Sequence, residues 1–214
     1  MAVAFRQIPK LNIKKLNEAI RLFPQVHPIT ADMNIAFKGV SRLVMLDRYS
    51  FKDTEKLTLS EGDFVVLTIK EDPKFPARGL GYIVNIDWEL KKATVLVEEE
   101  YRGVLDKQEE RESGMIVRSL DVIEKPLEIF YEQIAKRNAT GLAEVEDTEE
   151  KRKEWADKFY EELVQLNFIP AGRVLYGAGS GKEVTYFNCY VMPYVQDSRE
   201  GISRLKGIGS YTAG

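Results

Sequence analysis

The chain has 214 residues, 44% hydrophobic and 30% charged, which is ordinary composition for one or two water-soluble domains able to bury a core. With 31 basic against 34 acidic residues, a net charge of −3 gives no broad electrostatic footprint for a phosphate backbone, so nucleic-acid binding is not expected. No apolar run approaches the roughly 18 residues that span a bilayer, and Met1 to Lys10 lacks a signal-peptide core, so a cytoplasmic, non-membrane protein is expected.

The first predicted element is an amphipathic helix from Leu11 to Leu22, with Leu11, Ile13, Leu16, Ala19 and Ile20 at helical spacing and Pro24 as its stop. His27, the one histidine, follows in an extended arm. A metal site is not expected there, because zinc sites need three or four converging ligands. Residues 1–37 are thus a helix and an arm.

Between residues 38 and 105 the pattern shifts to period two, with candidate strands at Leu43–Leu46, Asp63–Lys70, Leu80–Ile86 and Ala93–Val97. Glu61-Gly62-Asp63 turns into the second of these, and Pro73 and Pro76 interrupt the chain after it. The order of strand, loop, Gly-x-Gly strand, charged turn and strand predicts a small SH3-like β-barrel, a fold that assigns no function by itself.

The stretch 106–120 is charge-rich and poor in apolar residues, and reads as a linker. Beyond it a helix is predicted with Pro126 at its first position and Leu127, Phe130, Tyr131 and Ile134 on one stripe. A second helix opens on Asp147 and Glu150, a capping-box spacing, and carries Trp155, Phe159, Leu163 and Leu166. Both stripes are read as packing faces.

The run Gly177-Ala178-Gly179-Ser180-Gly181-Lys182 invites comparison with a triphosphate-binding loop. It fails that comparison, because Tyr176 stands where the first glycine is needed and Glu183 where a Ser or Thr would hold magnesium. What remains is a turn that permits close backbone approach. Cys189, the single cysteine, lies just downstream in Thr185-Tyr186-Phe187-Asn188-Cys189-Tyr190-Val191. One thiol closes no disulfide within the chain, so it is either a small buried hydrophobe or half of a pair whose other sulfur lies elsewhere.

The order Ile169-Pro170-Ala171-Gly172-Arg173-Val174-Leu175, then Gly177-Ala178-Gly179, then Asn188-Cys189, then Asp197-Ser198-Arg199-Glu200-Gly201, resembles the start of the catalytic barrel of class II ribonucleotide reductases. The resemblance runs from about Pro28 to Ser203 and is to the adenosylcobalamin-dependent type of Bacillus and its phages. It implies an α+β chain in which the small barrel and a helical layer, residues 121–203, lead into the first strand or strands of a truncated α/β barrel. The tail 204–214 diverges from the family pattern.

By the same resemblance Cys189 is one of two redox thiols that reduce the ribose and become a disulfide. Ala171, Gly172 and Asn188 fall where the substrate nucleotide and its phosphate lie, and Asp197 and Ser198 where the effector site begins. The implied cofactor is adenosylcobalamin, in the complete enzyme, where it generates a radical on a different cysteine. The implied partners are a ribonucleotide substrate, a nucleotide effector, the remainder of the reductase chain and a thioredoxin-type reductant, with a homodimer compatible. The radical cysteine and the partner of Cys189 are absent from this sequence, so the chain reads as a fragment, inactive alone. The competing expectation is a non-enzymatic SH3-like module that binds protein or nucleic acid.

Overall fold

The computed structural model describes residues 11–34, 37, 39–187, 189, 191 and 194–212. Helix α1 spans Ile13–Ile20 and is capped by Asn12, whose side chain accepts from the Lys15 amide at 3.0 Å. Its apolar stripe buries Leu16, Ala19 and Ile20. On the flank, Asn17 pairs with both backbone groups of Ile29 at 2.8 and 2.9 Å, tying the arm alongside the helix.

The segment Leu43–Leu46, which the pattern predicts as a strand, is helical. Helix α2, Gly39–Val44, runs into a π-helical turn, Met45–Tyr49, and Ser50 closes it by donating to the Leu46 carbonyl at 2.8 Å. Four apolar residues in a row do not separate strand from buried helix, and here Met45 and Leu46 enter the core from a helix.

The strands are β1 (Lys52–Asp53), β2 (Phe64–Lys70), β3 (Ala77–Asp87), β4 (Lys92–Val97), β5 (Met115–Ser119) and β6 (Ile123–Pro126). They form one open antiparallel sheet in the order β1-β6-β2-β3-β4-β5. The barrel predicted over 38–105 is therefore replaced by a sheet that draws two of its strands from beyond residue 105. Strand β2 is central, with Val65, Val66, Leu67 and Ile69 fully buried, which explains its near-continuous apolar sequence.

The charged stretch 106–120 is structured rather than a linker. Helix α3, Gln108–Ser113, ends on Gly114 at φ 70°, and the chain turns directly into β5, which pairs with β4 from Met115–Leu96 to Ser119–Lys92. Because α3 buries none of its residues, its composition looks like that of a solvated tether.

Pro126 ends β6 opposite Lys52, so it does not start a helix. Helix α4 begins later and spans Tyr131–Ala143, with Gln133 Oε1 accepting from the amides of Ile129 and Phe130 at 2.8 and 3.1 Å. Helix α5, Glu149–Val164, is capped by Thr148, one residue past the predicted Asp147. Of its predicted stripe, Leu163 is buried and Phe159 packs on the core, whereas Trp155 and Leu166 stay exposed. Short helix α6 (Gly172–Gly177) and α7 (Arg199–Thr212) complete the chain, α7 running through the divergent tail. Sheet, α1, α4, α6 and the end of α5 share one core. Among the described residues no strand follows Pro126, so the expected first strand of a reductase barrel is not seen; an extended segment becomes a strand only when another backbone pairs with it.

Candidate functional site

The Gly-rich run is organised by a buried ion pair. Arg137, on the inward face of α4, places Nε 2.6 Å from Glu128 Oε1 and Nη2 2.9 Å from Glu128 Oε2, in a two-pronged pairing. Both side chains are 1% exposed or less. The same guanidinium donates to the carbonyls of Tyr49 at 3.0 Å, Leu175 at 3.1 Å and Ala178 at 2.8 Å. Glu128 in turn accepts from the Phe51 amide at 2.8 Å, and Asn138 donates to Leu175 O at 3.1 Å. Charge burial on this scale survives only when every face of the pair is satisfied, as it is here.

The consequence for the glycines is steric as well as polar. A Cβ on Gly179, at φ 70°, would strike the Arg137 carbonyl and lie 2.9 Å from Arg137 Cγ. The turn therefore presents its carbonyls to Arg137, and its glycines serve close packing on α4. Ser180 Oγ donates back to Gly177 O at 2.7 Å, and Lys182 Nζ donates to the Tyr176 hydroxyl at 2.6 Å.

Ala171 is the N-cap residue of α6, exposed, its carbonyl accepting from the amides of Val174 and Leu175. Gly172 sits against the Tyr49 ring, where an added Cβ would lie 3.1 Å from the hydroxyl. Cys189 is a free, exposed thiol, so it is not a packing residue. Asn188 lies outside the described residues. Asp197 and Ser198 precede α7, and Ser198 Oγ accepts from the Gly201 amide at 3.0 Å, which makes it a helix cap. Among the described residues no hydrogen bond or ion pair joins Cys189 to α6 or to the start of α7.

Two hollows flank α6. One, about 290 Å³, lies between the β1 edge and the Gly-rich run and mixes Arg48, Lys52 and Lys182 with Asp47, Glu55 and Glu124. The other, about 320 Å³, is apolar, with Tyr49, Tyr131, Ile134 and Leu175 among its walls. Burial raises the Tyr131 phenol above its ordinary range. Half-buried His27 is pushed down, first by desolvation and then by the charges of Lys136 and Arg137.

Both hollows lie near the small end of the range for ligand cavities. Among the described residues no group of three or more His, Cys, Asp or Glu converges as a metal site. No described helix is long and apolar enough to cross a membrane.

Glu128, Arg137 and Asn138 escape the apolar-stripe reading. Their signal is present all the same: Ile134, Arg137 and Asn138 share a face at i, i+3 and i+4, placing a charge and an amide where an apolar residue belongs.

The geometry defines an α+β chain in which an antiparallel sheet carries a helical layer, and in which that layer clamps a Gly-rich turn through one buried ion pair. Residues 120–183, from the end of β5 through the Gly-rich run, match the family model described as ribonucleotide reductase, all-alpha domain. The match supports a ribonucleotide reductase origin for the chain. It includes Ala171 and Gly172 and stops short of Asn188, Cys189, Asp197 and Ser198. No curated protein and no solved structure matches the chain.

Proposed function

We propose that the chain is the N-terminal part of an adenosylcobalamin-dependent ribonucleotide reductase, which makes deoxyribonucleotides for DNA synthesis. The observation that carries this reading is the all-alpha domain match over 120–183, followed directly in sequence by the Asn188-Cys189 motif. Adenosylcobalamin would belong to the complete enzyme, where it would supply the radical.

In this reading Cys189 and a second cysteine, carried by the remainder of the reductase, give up two electrons and two protons and join as a disulfide. The ribose C2′–O bond breaks, and one proton carries the hydroxyl away as water. The other proton and the two electrons make the new C2′–H bond, and a thioredoxin-type dithiol restores the pair by exchange. An exposed thiol suits that exchange, since a second sulfur must reach it. Ala171, Gly172 and Asn188 would receive the substrate, and Asp197 and Ser198 would begin the effector site. The capping role of Ser198 Oγ leaves Asp197 as the freer of that pair.

The test is Cys189→Ser in the reductase assembled from this chain and its remainder. Multiple turnover with a dithiol reductant should be abolished. Full retained turnover would remove Cys189 from the mechanism. A second check is the DNA beyond the Gly214 codon, where a frame resuming the reductase pattern supports the reading.

A further inference from the structure

We infer that Arg137 is a positioning residue for the Ala171–Gly172 turn, an inference that rests on reading that turn as the place of the substrate phosphate. Arg137 reaches both ends of α6. At the far end it takes the carbonyls of Leu175 and Ala178 at 3.1 and 2.8 Å. At the near end it acts through Tyr49: Nη2 holds the Tyr49 carbonyl at 3.0 Å, and the Tyr49 ring stands directly behind Gly172. Glu128 sets the plane of the guanidinium, and through the Phe51 amide it fixes the strand-edge segment that carries Tyr49.

A planar fork is required for this. Lysine at position 137 would keep the charge and reach one or two of these oxygens, but it has no rigid set of donors to span four residues at once. Losing that span frees α6 to shift against Tyr49 and moves the two residues that would meet the phosphate. A displacement of about 1 Å takes a backbone amide out of hydrogen-bonding range, and a lost hydrogen bond to a charged group weakens binding by about one to two orders of magnitude.

The experiment uses the assembled reductase for kinetics and the 214-residue chain for amide exchange. Arg137→Lys is expected to raise KM for the ribonucleotide on the order of tenfold with kcat nearly unchanged, the pattern of lost ground-state binding. Guanidinium ion should lower the KM of Arg137→Ala, and exchange at 172–181 should rise in the isolated Arg137→Lys chain while β2 amides stay protected. Tyr49→Leu leaves the ion pair in place and should raise KM in the same direction, which covers the case of an Arg137 variant that does not fold. Unchanged KM in both Arg137→Lys and Tyr49→Leu, with Gly172→Ala raising it, overturns the inference and leaves the phosphate reading standing. Unchanged KM in Gly172→Ala as well overturns both.

Discussion

Gly141 of α4 and Gly179 of the Gly-rich turn touch backbone to backbone: a Cβ on Gly141 would lie 2.5 Å from Gly179 Cα and closer still to its amide nitrogen. Alanine in a helix ordinarily gains about 1 kcal/mol over glycine. Here the methyl meets backbone that Arg137 already holds through Ala178, so it cannot be relieved by a side-chain rotation. Overpacking costs roughly 1–3 kcal/mol and wins. Gly141→Ala should lower the urea midpoint; an unchanged or raised midpoint would contradict the contact.

Lys125 and Asp63 form a second buried pair at 2.8 Å, with side chains 3% and 5% exposed. Lys125 also donates to Thr58 O at 2.8 Å, so it joins β6 to the loop before β2. Lys125→Met leaves the buried Asp63 carboxylate with the partly exposed Lys15 as its remaining cation and should cost about 1.5–3 kcal/mol, the worth of a hydrogen bond to a charged group. Lys15 also reaches Asp63, at 3.1 Å, but is 39% exposed, and Lys15→Ala should cost under about 1 kcal/mol. Equal losses in chemical denaturation would mean the two cations are not distinguished by burial.

His27 makes stability fall on acidification. Its folded-state pKa is held below the ordinary 6.5 by desolvation and then by Lys136 and Arg137. The unfolded chain therefore binds the proton first, so the His27 contribution is intact above 6.5 and is lost as pH falls from there through the folded value. In His27→Gln the slope of unfolding free energy between pH 7 and pH 5.5 should flatten. An unchanged slope would assign it to other groups.

Cys189 is exposed and has no sulfur partner in the chain. An alkylating reagent should add one adduct to the native protein at a rate close to that in denaturant, as intact mass reads directly. Protection by tenfold or more on folding would place the thiol in a buried setting.

Local patterns determined much of this molecule. The α1 stripe, the start of α5 to within one residue of the expected Asp147 cap, and the strands over 64–97 are legible because side-chain periodicity, caps and turn residues act within a few positions. The same holds for the order of the Gly-rich run and Cys189, which carries the family resemblance. Strand β5 was hidden because its identity depends on β4, some twenty residues back, and on a charged helix that shows only its solvent side. Residues 184–187, just ahead of Cys189, show the converse, a β-branched and aromatic sequence for which no pairing backbone is found among the described residues. What only the tertiary structure decided is the use of the glycines and of Arg137. Glycines alone leave open whether a turn faces its amides outward or packs its carbonyls inward, and it is the approach of Gly141 and the buried Glu128–Arg137 pair, set by how α4 lies on α6, that turns these carbonyls inward.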